Sequence, residues 1–303
     1  SNAVAIGTSA GQTSQQTNAV AIGLFAGKTS QQSAAVAIGY DAGFSSQQTL
    51  AVAIGQEAGY SNQVLGAVAI GYRAGHLAQQ AGAVAIGYEA GLTSQQTTAV
   101  AIGAYAGRTS QGSYSVAIGY FAGNLSQDIS AVAIGNYAGY DKQQASAVAI
   151  GNYAGATSQT QGAVAIGLYA GNNYQNTNTV AIGTSAGQAH QKDNAVAIGR
   201  EAGHLAQQAG AVAIGYEAGH TSQRTTAVAI GAYAGRTSQG SYSVAIGNSA
   251  GHTSQHDRTI VLNASGYTLN TTRTDSVYVK TIQYGPGTHA LRYDQSTGEI
   301  TYY

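Results

Sequence analysis

The 303-residue chain has no cysteine, methionine or tryptophan, one proline, three phenylalanines and only 8% charged residues. Without cysteine there is no disulfide, thiol nucleophile or thiolate metal ligand, and the redox state of the compartment is left open. Basic and acidic residues balance at 12 each, so no basic excess exists to displace the counterions of a nucleic acid. No apolar run approaches the ~18 residues of a spanning helix, so no membrane insertion is expected. No secretory leader is legible, and Ser1 stands where an initiator Met would, as expected of a processed chain. The apolar content is mainly Ala, Val and Ile, so any core is thin and built from small side chains.

What the chain has in excess is repetition. A unit of the form AVAIGYEAGLTSQQTT (Ala83–Thr98) recurs sixteen times from Ala3 to Arg258, sixteen residues at a time, with no insertion or deletion. Val is always second, Ala third, Ile fourth, Gly fifth, Ala eighth, Gly ninth and Gln thirteenth. Thr259–Asn263 stands where a seventeenth AVAIG belongs and is a degraded form of it. A longer copy overlies the short one: Ala74–Gly119 and Ala202–Gly247 differ only at Leu92/His220 and Gln96/Arg224. Arrays grow by such block copying when each unit touches only its neighbours.

AVAI alternates Ala with β-branched residues and predicts a strand. Two fixed glycines per unit oppose a helix. They bracket a corner at places five to nine, where positive φ or close backbone approach is needed. Places ten to thirteen, often xTSQ, predict a second strand, and fourteen to sixteen a second corner. One unit is then one coil, and parallel stacking at about 4.8 Å gives sixteen coils a length of roughly 75–80 Å. Residue i sits on i+16, so one inserted residue would misalign every ladder. Val and Ile leave one face of AVAI and Ala the other, and neither face is polar. Strands apolar on both sides are buried on both sides. One face then lines the roll and the other meets further copies of the chain; the pattern does not determine which, and Ala in the narrow roll with Val and Ile at the interface is the assignment preferred.

The AVAIG…AG unit resembles the head repeats of trimeric autotransporter adhesins, the YadA-like left-handed parallel β-roll; Ser115–Gly119 and Ser243–Gly247 spell SVAIG outright. The resemblance covers residues 3–258 and implies an all-β, left-handed parallel β-roll or β-solenoid, intertwined or side by side as a homotrimer. Two departures stand out: the unit is slightly longer than is usual in that family, and no coiled-coil stalk or membrane barrel follows Arg258. The array with its YD…TGEITY ending also resembles fibre proteins of large viruses and phages. That likeness implies a chaperone domain that cuts itself off, which a cut after Tyr303 would fit. The expected division is a repeat array over 1–258 and, over 259–303, a degenerate coil plus β-rich cap with a hairpin around Gln295–Gly298.

No catalytic, cofactor or metal constellation is legible, and the chain is not expected to be an enzyme. The thirteenth-place glutamines (Gln15, Gln31, Gln47, Gln63, Gln79, Gln95, Gln111, Gln127, Gln143, Gln159, Gln175, Gln191, Gln207, Gln223, Gln239 and Gln255) form a column of amides. It is read as a structural ladder bonded along the axis or to corner backbone. Aromatics cluster at the sixth and seventh places: Tyr88, Tyr105, Tyr120, Phe121, Tyr137, Tyr153, Tyr169, Tyr216 and Tyr233. They are expected outside the corners, packing laterally or meeting a host-surface glycan or protein. His204, His220, Arg236 and His252 share the tenth place, and two His one coil apart invite a metal. The interposed arginine and the lack of carboxylates in that column favour a solvated column instead. Glu57, Arg73 and Glu89 alternate in sign at the seventh place, whereas Glu201 and Glu217 repeat one sign, a pairing assigned only to tolerance at the surface. GxxAG precedes no helix and is no phosphate loop. Asn124, Asn263 and Asn270 begin glycosylation sequons.

The reading is a rigid structural or adhesive rod, outside a cell or on a virion, that either ends in its cap or joins end to end through the open strand edge at Ser1–Gly7. An ice-binding solenoid is the alternative, weakened because the eleventh place is Thr in only eight of sixteen units. A glycan-depolymerising tailspike ranks last, for want of clustered carboxylates in a groove.

Overall fold

The structure is a computed structural model that describes residues 2–280, 291–294 and 296–302. Among them every regular element is a strand. The chain winds as a parallel β-solenoid of sixteen-residue coils, about seventeen turns in all, with two sheets running along it.

The first sheet is built from three-residue VAI strands, from Val4–Ile6 to Val244–Ile246. Val pairs with Val, Ala with Ala and Ile with Ile, one coil apart. The second sheet runs from Ser45–Gln47 to Ala189–Gln191. Only the eleventh and thirteenth places pair there, as in Thr93↔Thr109 and Gln95↔Gln111. Single bridges such as Thr13↔Thr29 and Thr237↔Thr253 carry the register beyond both ends. This strand is shorter than the ten-to-thirteen segment expected, and its middle residue is not extended. The twelfth place is left-handed in every coil, as at Ser94 (φ 54°) and Ser126 (φ 53°).

That conformation is one of several directed at a single problem. Each coil must send N–H groups both to the coil before it and to the coil after it. Residues at places two, nine, eleven and fourteen donate forward, as do Val116 to Ala131 O and Gly123 to Ala138 O, each at 2.9 Å. Places five, seven, twelve and sixteen donate backward, as do Gly119 to Ile102 O at 2.8 Å and Phe121 to Ala104 O at 3.0 Å. These four places have positive φ, at Gly119 (128°), Phe121 (54°), Ser126 (53°) and Ser130 (56°), whereas the third-place Ala, whose N–H also points back along the in-register ladder, is ordinary extended strand. The left-handed turn reverses the N–H along the axis, which offsets the roughly 1–2 kcal/mol that this region costs a side-chain-bearing residue.

The fifth place tolerates no side chain. A Cβ on Gly119 would lie 2.6 Å from Gly135 O, a backbone atom that cannot yield. The interior is alanine: the third- and eighth-place alanines are fully buried from Ala21 to Ala250, and first-place alanines from Ala19 onward join them. Where the first place is Ser or Thr, the buried hydroxyl bonds the carbonyl three residues back, as in Ser115 to Gly112 O at 2.6 Å. Val and Ile face outward.

Beyond Arg258 the first sheet continues. Ile260–Asn263 stacks on Val244–Ile246 as the seventeenth coil, with Val261 in the interior place of alanine. Val277–Lys280 then adds a further parallel strand. Leu291–Tyr293 and Ile300–Tyr302 form the expected antiparallel hairpin. Gln295 and the segment 281–290 lie outside the described residues.

Candidate functional surfaces

The amide column runs inside the solenoid, and its glutamines are fully or nearly fully buried from Gln31 to Gln255. Each Nε2 donates to the second-place carbonyl of its own coil, as Gln143 does to Val132 O at 2.8 Å. The same amide donates to the next glutamine, Gln143 Nε2 to Gln159 Oε1 at 3.1 Å. These links join Gln15 to Gln31 at one end and Gln223 to Gln239 at the other. The last step is missing. Gln255 Oε1 is buried without a partner, while its Nε2 turns to Thr259 Oγ1 at 3.1 Å. The ninth-place glycine makes room for the amide: a Cβ on Gly123 would sit 2.9 Å from Gln127 Oε1.

The aromatics lie over the first corner. Five consecutive seventh-place rings, Tyr105, Phe121, Tyr137, Tyr153 and Tyr169, stack at centroid distances of 4.6, 5.0, 4.9 and 5.4 Å. The sixth-place rings are the more exposed, with Tyr88 at 45% and Tyr120 at 47%. Tyr120 meets Phe121 edge-on at 4.5 Å. Tyr216 and Tyr233 form a separate T-shaped pair at 5.1 Å. A third run, Phe44, Tyr60 and His76, stacks at the tenth place at 4.9 Å per step.

The seventh and tenth columns touch through a diagonal that the sequence reading did not use. A seventh-place side chain meets the tenth-place side chain of the following coil, nineteen residues on. Glu89 and Arg108 pair at 2.9 Å, Glu217 and Arg236 at 2.6 Å, and Glu57 and His76 at 3.2 Å. Asn124 and Asn172 use the same diagonal to bond Tyr105 O and Tyr153 O. Two expectations are corrected by it. Glu201 and Glu217 are not merely tolerated at the surface. Glu217 is buried and held by Arg236, and Glu201 contacts Arg200 at 3.2 Å and His220 at 3.6 Å. Nor does the histidine column lack carboxylates, because the seventh place supplies them. Bonding to Glu217 also pushes the Tyr216 phenol up to about 12.

The eleventh-place threonines do not present a free row of hydroxyls. At Thr29, Thr93 and Thr109 the Oγ1 donates to a backbone carbonyl of the next coil at 3.2–3.5 Å. The outer face of the first sheet is different: Val and Ile repeat along it in every coil, Val half-buried and Ile up to 58% exposed at Ile6. No polar side chain interrupts that stripe between Val4 and Ile246.

Comparison against protein-family models, curated proteins and solved structures found no match.

Proposed function

We propose that the chain is a segment of a structural or adhesive fibre that assembles as a homotrimer outside a cell or on a virion. The outward Val/Ile stripe carries this reading. Ala, Gly and Gln are held constant by the packing inside one chain. One chain leaves Val and Ile only half-buried or exposed, yet they are as constant as the buried residues, while the other outward places vary freely. An identical neighbour in register imposes one requirement on every coil at once, which makes further copies of this chain the fitting occupant. The YadA-like form of AVAIG supports three copies rather than two. The aromatic ladder, with Tyr88, Tyr120 and Tyr169 partly exposed, suits a stacking contact with a glycan or protein of a host surface.

Mass by light scattering, with negative-stain imaging, tests the assembly. Three chains per particle, in rods that stand alone or join end to end, are expected. Ile134→Lys should lower the mass to that of one chain or cause aggregation. A single-chain particle for the unaltered protein at high concentration sinks the reading.

A further inference from the structure

The two long copies differ at Leu92/His220, and the residues just before them differ as well. Just before the first copy Arg73 stands between Glu57 and Glu89, at 3.0 and 3.9 Å, so the charges alternate. Just before the second copy the place of Arg73 is taken by Glu201, and within it the place of Leu92 is taken by His220. Both changes bring metal-ligating groups to the same point. One ligand atom from each of Glu201, Glu217 and His220 lies within 4.8 Å of the other two.

We propose that Glu201, Glu217 and His220 bind a divalent transition-metal ion of the zinc class, which staples two consecutive coils. Two carboxylates one coil apart repel each other unless a cation lies near both. His220 Nε2 stands 3.6 Å from Glu201 Oε2. That is too long for a hydrogen bond. It is close to the roughly 3.3 Å between two ligand atoms of a tetrahedral ion with bonds near 2.0–2.1 Å. The other imidazole nitrogen, Nδ1, lies 2.9 Å from Thr221 Oγ1. When Nδ1–H donates to that hydroxyl, the Nε2 lone pair faces the carboxylates, which is the arrangement of a metal-bound histidine with its outer partner.

The remaining neighbours are compatible with a single ion. Arg200 holds Glu201 Oε1, and Glu217 is held by Arg236 at Oε2 and by the Tyr216 hydroxyl, a hydrogen bond that an ion at Glu217 shares or displaces. The guanidiniums orient the carboxylates and, by partly neutralising them, limit the affinity. The His204 ring stacks on His220 at 4.9 Å, and its buried Nδ1 has no hydrogen-bond partner. Water would complete the coordination. An imidazole among the donors favours zinc-class ions over calcium or magnesium.

Calorimetric titration of the metal-free full chain with zinc chloride tests this. The expected result is one saturable site per chain. His220→Leu installs the residue that the first copy carries at that place and should weaken Kd by at least about tenfold, with the circular dichroism unchanged. Glu201→Gln should weaken it as well. Equal affinity and stoichiometry in both variants, or no saturable binding by the unaltered chain, overturns the proposal.

Discussion

Gln127 donates from Nε2 to Oε1 of Gln143, one coil on, at 3.0 Å, and both side chains are buried. Gln143 repeats the act towards Gln159. Each amide is thus donor to one neighbour and acceptor from the other, with its second N–H committed to backbone. A core of alanines supplies little apolar area per coil. Polar satisfaction therefore carries an unusual share of what distinguishes the correct stack from a slipped one.

Gln143→Leu separates these contributions. It keeps an apolar side chain of similar length but leaves Gln127 Nε2 and Gln159 Oε1 without that partner inside the roll. A cost of about 2–4 kcal/mol is expected from lost bonds and stranded polar atoms. Chemical denaturation compared with the parent checks it. A loss below ~0.5 kcal/mol would mean that the ladder is incidental to stability.

Gly119→Ala tests the backbone approach at the fifth place. The added methyl would meet Gly135 O at 2.6 Å, at a φ of +128°. Neither strain relaxes without shifting a neighbouring coil, so destabilisation above about 3 kcal/mol is expected. Hydrogen exchange should show the damage concentrated in the coils on either side. Wild-type stability in this variant would contradict the tight stacking.

Leu50→Gly should do the opposite. Leu50 occupies the left-handed sixteenth place at φ 62°, with 58% of its surface exposed. Gly66 and Gly82 hold the same place in the next two coils. Relief of left-handed strain outweighs the entropy of glycine here, and a gain of about 0.5–1 kcal/mol is expected. A rise in denaturation midpoint reports it, and a fall would show that Leu50 packs more than its exposure implies.

Much of this architecture is legible in the repeat. Invariant spacing dictates in-register stacking, and the constant alanine and glutamine places are the ones buried. The left-handed seventh, twelfth and sixteenth places were hidden because Tyr, Glu, Ser and Leu occupy them, and only glycines such as Gly66 and Gly162 give a hint. The Glu89–Arg108 and Glu217–Arg236 pairs were hidden for another reason. Their spacing of nineteen is neither the coil period nor a local one. It follows from how far the corner swings between the seventh place and the tenth, which only the three-dimensional path supplies. The carboxylates beside the histidine column escaped notice through the same diagonal.

His76 offers a pH test of that diagonal. Its imidazole stacks on Tyr60 and lies 3.2 Å from Glu57. Burial, aided by the Arg73 guanidinium, holds its pKa below the ordinary 6.5, against the opposing pull of Glu57. The folded state thus binds the proton less readily than the unfolded chain. The associated stability is fully present above 6.5 and is lost as pH falls through the lowered value. His76→Phe extends the Phe44–Tyr60 stack without a titrating group. The stability difference between the parent and this variant should therefore shift against the parent as pH drops below 6.5. Titration of ¹³C-labelled histidine by NMR, with His76→Phe assigning the signal, should give a midpoint below 6.5. A midpoint at or above that value would show that Glu57, rather than burial and Arg73, governs the ring.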